Sequence, residues 1–280
     1  MTRKNEEGRL RFLRGAADRP RRRFRRGVYL LPSLFTLGNM FCGYACVVYA
    51  MRGEFETAAP FIGFAIVLDM LDGRIARLTG SASAFGVEFD SLADVISFGI
   101  APAILSFAWG LSPLGRLGWA AGFMFLTAAA MRLARFNIQG AAGGDKRYFV
   151  GMPSPAAAAV PAATVFAYPA GLYDYREALP ALAMVLVPAV LMVSTIRFRS
   201  FKTIDLQTRR PYRVLLLIAA GIMLITTHPR FVLVLLAYSY LASAFVGMAL
   251  GRLRHRDSRV APDQDAPHAE QTQPLDSAAH

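Results

Sequence analysis

The sequence predicts an all-α membrane protein, a polytopic helical bundle of about eight transmembrane helices with both termini in the cytoplasm. Of its 280 residues, 55% are hydrophobic, and the mean hydropathy is positive. The apolar residues come in blocks of about twenty, the length that a helix needs to cross a hydrocarbon layer about 30 Å thick. Lys and Arg also fall mainly in alternate loops, as the positive-inside rule requires.

Eight segments fit this pattern in order along the chain. The seventh is short, and the second and third carry charges, so hydropathy alone marks them poorly. The segments cover residues 31–51, 56–76, 88–110, 117–137, 152–172, 178–196, 213–227 and 231–251.

The distribution of cations supports this count of segments. With the N-terminus in the cytoplasm, 27 of the 31 Lys and Arg lie on the cytoplasmic side, and only Arg52, Arg116, Arg176 and Arg230 lie outside. Removing one early helix from the count would move every later loop to the opposite side of the membrane and destroy this asymmetry. The net charge of +12 therefore reflects topology in an inner (cytoplasmic) membrane and attraction to anionic membrane lipids. No nucleic acid is expected as a partner.

Three regions are predicted. Residues 1–28 form a basic cytoplasmic arm, residues 29–252 the membrane-embedded domain, and residues 253–280 a cytoplasmic tail. The tail lacks apolar periodicity, which predicts disorder.

The candidate catalytic residues are concentrated between residues 69 and 94. Ionisable groups within spanning segments are costly and so mark functional sites. At 100° per residue, Asp69 and Asp72 share a helix face, while Asp90 and Asp94 form a stripe on the next helix. The small, polar residues 79–83 predict a cytoplasmic turn between the two helices. The two acidic stripes are therefore expected to face each other.

Four converging carboxylates repel each other unless cations lie between them. Divalent cations such as Mg²⁺ or Mn²⁺ take oxygen ligands, and pairs of them promote displacement at phosphorus. Gly73, Ala76 and Gly86 leave room beside the acids for a nucleotide diphosphate. Arg77 can neutralise a phosphate oxygen.

These residues spell D-x2-D-G-x2-A-R-x8-G-x3-D-x3-D, which resembles the signature of the CDP-alcohol phosphatidyltransferase family. The resemblance implies a CDP-lipid donor, CMP as leaving product and two divalent cations, Mg²⁺ or Mn²⁺. It implies that the acids ligate metal and that Asp94 is also the general base. The metal ligands would be Asp69, Asp72, Asp90 and Asp94, and the donor contacts Gly73, Ala76, Arg77 and Gly86.

Flanking stretches resemble the branch of the family that uses L-serine as acceptor and CDP-diacylglycerol as donor. One departure is Ser33, where Asn is expected. The resemblance is also consistent with a homodimer. The stretches are LPSLFTLGNMFCGY at 31–44, FDSLADVISFGIAPA at 89–103, RLARFN at 132–137, YFVGMPSPAAA at 148–158 and SFK at 200–202.

Serine carries a carboxylate and an ammonium, which need partners when buried. Arg132 and Arg135, one turn apart at the cytoplasmic end of the fourth segment, are candidates to bind the carboxylate or a phosphate, or else they only anchor the topology. Thr36 and Asn39 lie in a polar stripe on the first helix. That stripe either contacts acceptor or phosphate, or packs against a neighbouring helix.

Three alternatives to a serine-specific transferase remain at this point. Another family member would make phosphatidylglycerol phosphate, cardiolipin or an inositol lipid, and the core motif does not separate these products. An ion transporter would place its acids near the midplane and in two repeats, whereas here they cluster once. An inactive scaffold has no need of four carboxylates. The acyl-chain preference, the choice between Mg²⁺ and Mn²⁺, and direct displacement versus a covalent intermediate all stay open.

Overall fold

The computed structural model describes residues 21–79, 83–141, 148–194, 197–199 and 211–257. Helices dominate this part of the chain. They are α1 (Arg21–Met51), α2 (Phe55–Thr79), α3 (Ala84–Val95), α4 (Ala101–Ser106), α5 (Arg116–Ala141), α6 (Ser154–Ala167), α7 (Tyr175–Val193), α8 (Pro211–Thr227) and α9 (Pro229–Asp257). Two π-helical turns, Ile96–Ile100 and Phe107–Leu111, and a 3-10 turn, Ser112–Leu114, extend α3 and α4 into one helical rod.

Each of the eight predicted segments coincides with a helix or with this rod, so the helical class is confirmed. Two boundaries differ. α1 begins at Arg21, within the predicted arm, and α9 continues to Asp257, past the predicted start of the tail. The arm before residue 21 and the tail after residue 257 lie outside the described residues.

Four helical stretches of the described chain are long and apolar enough to cross a membrane: Ser33–Met51, Ala84–Leu114, Arg116–Gln139 and Tyr175–Val193. A fifth span results if Ala219–Thr227 and Pro229–Ser243 are counted as one broken span, although the chain bends by 119° between these two helices. α2 fails the criterion because it carries five charged residues. α6 has 14 residues, which at 1.5 Å each reach only about 21 Å.

Small residues let the helices approach closely, as is typical of packing within membranes. α1 packs along α2 and also against α3, α4 and the π turn that joins them. The closest approach is at Gly43, where a Cβ would lie 2.6 Å from Ser97 Oγ and 2.8 Å from Ser97 Cα. No larger residue fits there unless α1 moves. Small residues that are buried on α1 and α2 include Ala45, Cys46, Ala50, Ala58, Ala59 and Ala65.

A short strand pair departs from the all-α prediction. Tyr148–Val150 (β1) pairs antiparallel with Arg197–Arg199 (β2), with Tyr148 opposite Arg199. Gly151 follows β1 at φ 88°, and a Cβ there would lie 2.4 Å from the Met192 carbonyl oxygen. The pairing joins the segment after α5 to the segment after α7, a contact distant in sequence that local patterns do not reveal.

We expect Gly43→Ala to lower the unfolding temperature of the purified protein in detergent, because the added methyl group must displace α1 from Ser97. Overpacking of this kind costs about 1–3 kcal/mol. Gly63→Ala on α2 is the matched control, since a Cβ there meets nothing within 4 Å and alanine favours helix. Equal unfolding temperatures for the two variants would contradict the close contact.

Candidate active site

Four carboxylates from two helices meet in one place. α2 carries Asp69 and Asp72, and α3 carries Asp90 and Asp94. One oxygen from each of Asp69, Asp72 and Asp90 lies within 4.8 Å of the other two. Asp72 is buried, whereas Asp69 and Asp90 are half-buried. The predicted convergence of the two acidic stripes is confirmed for these three residues.

Asp94 lies one helical turn beyond Asp90. It is close enough to the other three acids to interact with them electrostatically. Its Oδ1 accepts a hydrogen bond from Nδ2 of Asn39 at 3.2 Å. Asp94 thus shares the charge environment of the three clustered acids but has a hydrogen-bond donor of its own.

The donors to the acids come from α1. Thr36 Oγ1 donates to Asp72 Oδ2 at 3.3 Å, and the three-residue step from Thr36 to Asn39 puts both on one face of the helix. The Ser97 hydroxyl in turn donates to the backbone carbonyl of Asn39 at 2.8 Å. The sequence suggested that Thr36 and Asn39 contact acceptor or phosphate. The structure places both side chains on the carboxylates, because α1 packs directly against the helices that bear them.

Three buried side-chain oxygens at the site have no hydrogen-bond donor within the described part of the chain: Oδ1 of Asp72, Oδ1 of Asp90 and Oδ1 of Asn39. Buried polar atoms are seldom left unsatisfied, and neighbouring carboxylates repel each other. Carboxylate and amide oxygens are the ligands that hard divalent cations take. The donor set therefore fits a divalent cation.

A guanidinium faces these acids from α5. Nη1 of Arg132 donates to Ser154 Oγ at 3.0 Å, and the cation interacts electrostatically with Asp94 and Asp69. Across the described ranges, no salt bridge within 4.0 Å joins Arg132 to either acid. The guanidinium nitrogens and the carboxylate oxygens of these two acids are therefore more than 4.0 Å apart.

Arg135, one turn further along α5, has a different neighbour. Its Nη1 approaches the carbonyl oxygen of Val193, at the end of α7, at 3.5 Å. Of the two arginines that the sequence put forward, the structure brings Arg132 to the acids and Arg135 to α7.

A profile of the CDP-alcohol phosphatidyltransferase family matches residues 29–196. The chain belongs to this family. The matched range contains the four acids, Arg132 and Ser154. α8 and α9 lie beyond it.

Several relatives carry names that specify a serine acceptor. A CDP-diacylglycerol–serine O-phosphatidyltransferase of Helicobacter pylori is 40% identical over 180 residues, which cover 63% of this chain and 75% of the relative. An archaetidylserine synthase of Methanothermobacter thermautotrophicus is 35% identical over 170 residues, covering 60% and 69%. A CDP-diacylglycerol–serine O-phosphatidyltransferase of Bacillus subtilis is 32% identical over 125 residues, covering 45% and 69%.

The CDP-alcohol phosphatidyltransferase signature links four positions to the donor, and the structure describes the surroundings of two of them, Gly73 and Gly86. A Cβ on Gly73 would meet nothing within 4 Å, so this glycine borders open space. The Gly86 backbone N–H donates to Ser83 Oγ at 2.9 Å, which caps the start of α3. The side chains of Ala76 and Arg77 lie outside the described residues.

Two polar contacts of this family member were not anticipated from its sequence. One is the hydrogen bond from Arg132 to Ser154. The other runs from Asn137 Nδ2 to Ser91 Oγ at 2.9 Å and ties α5 to α3. Ser154 lies in the stretch 148–158, whose resemblance to the serine branch was the only available signal. Which polar side chain it meets depends on the packing of α5 against α6.

Exchanging the partners of the Asn39–Asp94 hydrogen bond tests its geometry. We expect Asn39→Asp to lower the unfolding temperature, because it sets a carboxylate against that of Asp94. Adding Asp94→Asn should restore much of the loss, since donor and acceptor are then exchanged. Coupling between contacting residues is about 0.5–3 kcal/mol. Additive effects of the two substitutions on the free energy of unfolding would show that the side chains do not touch.

Proposed function

We propose that this chain transfers the phosphatidyl group of CDP-diacylglycerol to the hydroxyl of L-serine, giving phosphatidylserine and CMP. Membership of the family supports the reaction type, and the names of the relatives support serine as the acceptor. The observation that carries the proposal is the guanidinium of Arg132, which interacts electrostatically with Asp94 and forms no salt bridge with it in the described part of the chain. A molecule that carries both a carboxylate and a hydroxyl can use both groups, with its carboxylate on the cation and its hydroxyl on the general base.

Asp69, Asp72 and Asp90 would hold two divalent cations, Mg²⁺ or Mn²⁺, with Asp94 as a fourth carboxylate beside them. When bound, these cations supply positive charge to the diphosphate and to the departing CMP. The clustered carboxylate oxygens and the buried, unsatisfied Oδ1 atoms of Asp72 and Asp90 support this role.

Asp94 takes the proton of the serine hydroxyl. Because its Oδ1 accepts from Asn39, Oδ2 is the oxygen that receives the proton, and the Asn39 amide fixes the orientation of the carboxylate. The serine oxygen forms a bond to the phosphorus nearer the lipid. The bond from that phosphorus to the CMP oxygen breaks, and CMP leaves with the electron pair.

Arg132 binds the serine carboxylate through charge-assisted hydrogen bonds. An acceptor without a negative group would leave the buried guanidinium without this partner, which is costly. Arg135 has the weaker case for this role, because its described neighbour is the carbonyl of Val193. Thr36 and Asn39 act by orienting Asp72 and Asp94.

Gly73, Ala76, Arg77 and Gly86 contact the CDP-lipid donor in this proposal. The open space at Gly73 supports it, since a diphosphate needs room next to the metal ligands. Arg77 follows Gly73 by four residues on the same helix, which places both on one face.

The proposed topology is eight membrane spans with both termini and the active site on the cytoplasmic side of the inner membrane. The coincidence of helices with all eight predicted segments supports it, as does the asymmetry of Lys and Arg. The division into a basic arm (1–28), a membrane domain (29–252) and a tail (253–280) goes with this topology. A homodimer stays a prediction.

We expect purified protein supplied with CDP-diacylglycerol and Mg²⁺ or Mn²⁺ to release CMP rapidly with L-serine. Glycerol phosphate and inositol phosphate should be poor acceptors, because the similar proteins carry names that specify a serine acceptor. CMP release and the labelled lipid product are both measured. Asp94→Asn is the matched variant and should bind CDP-diacylglycerol but turn over slowly.

Preferential use of glycerol phosphate or an inositol compound would move the chain to another branch of the same family. Normal turnover by Asp94→Asn at saturating serine would remove Asp94 from the role of base.

A further inference from the structure

Ser154 is a buried hydroxyl with a charged partner. It is the first residue of α6, its exposed fraction is 2%, and its Oγ accepts from Nη1 of Arg132. A hydrogen bond to an ionised group is stronger than one between neutral groups. Ser154 therefore restrains the direction in which the guanidinium points.

The position of Arg132 matters because its charge is attracted to two acids. An arginine side chain is long and flexible, and its fork of donors matches carboxylate geometry. Without restraint the guanidinium would be free to turn into a salt bridge with Asp94 or Asp69. Ser154 takes one of its N–H groups, and the guanidinium carbon lies 5.5 Å from the centroid of the Phe136 ring, within range of a cation–π contact.

We propose that Ser154 is a positioning residue, which fixes the direction of the Arg132 guanidinium so that it does not turn onto Asp69 or Asp94, and which thereby selects an acceptor that carries a carboxylate. This inference rests on the proposed function and adds to it a residue that determines acceptor specificity. Ser154 does not contact the reacting atoms and acts through the guanidinium.

Kinetics with two acceptors test the inference. Ethanolamine has the hydroxyl and ammonium of serine but no carboxylate. We expect Ser154→Ala to raise the KM for serine about tenfold, the loss expected when a hydrogen bond to a charged group is removed. The KM for CDP-diacylglycerol should change much less, and the preference for serine over ethanolamine should fall. Ser154→Thr retains the hydroxyl and should restore serine binding.

Two control variants match these substitutions. Ser106→Ala removes another buried serine hydroxyl, which donates to the Pro102 carbonyl at 2.7 Å. Tyr238→Phe removes a hydroxyl that lies 3.1 Å from Thr164 Oγ1, in a hydrogen bond between α9 and α6. Both controls should leave the serine KM unchanged, because neither hydroxyl hydrogen-bonds to Arg132.

The outcomes separate the two proposals. Wild-type protein that uses serine, combined with a Ser154→Ala variant that behaves like the controls, refutes this inference alone. An equal rise in both KM values also refutes it, since that indicates a general structural defect. Wild-type protein that releases CMP only with acceptors lacking a carboxylate refutes both the inference and the proposed function.

Discussion

Repulsion between the acids is the constraint around which the rest of the site is arranged. Two unit charges 4.8 Å apart, the limit that encloses the oxygens of Asp69, Asp72 and Asp90, repel by about 3.5 kcal/mol at an effective dielectric constant of about 20. Folding alone does not favour such a cluster. α1 offsets part of this cost by supplying donors, with Thr36 on Asp72 and Asn39 on Asp94. Its close approach depends on the absence of a side chain at Gly43, where α1 meets Ser97.

The same constraint explains why α2 is a poor membrane span by composition: it contains Asp69 and Asp72 near its end and carries five charged residues. α3, which bears Asp90 and Asp94, belongs to an apolar rod of span length because α4, two π turns and a 3-10 turn continue it to Leu114. Single-turn π insertions in helices are frequent at functional sites, and the first of these begins two residues after Asp94.

Local features were predictable from the sequence. The spacing of Asp69, Asp72, Asp90 and Asp94 depends on helical periodicity alone, so the meeting of the first three acids followed once a turn was placed at residues 79–83. The eight helical segments were found from the length of the apolar blocks and the asymmetry of Lys and Arg. Whether each segment crosses the membrane was harder to judge. A charged helix such as α2, or a short one such as α6, can do so only if the neighbouring helices shield it from lipid.

Contacts between distant segments were not predictable in this way. Thr36 and Asn39 were placed on the right face of α1, but the sequence did not show that this face meets the acids. Ser154 lies 22 residues after Arg132, and no periodicity connects the two. The β1–β2 pairing joins segments about 50 residues apart. Each of these contacts requires the packing of whole helices to be known.

The proposed phosphatidyl transfer depends on two helices that present their carboxylates to shared divalent cations. Anomalous scattering from crystals grown with Mn²⁺ tests this most directly. The account predicts manganese peaks within coordination distance, about 2.0–2.6 Å, of the carboxylate oxygens of Asp69, Asp72 and Asp90. Manganese bound only elsewhere, with these side chains directed away from one another, would contradict it.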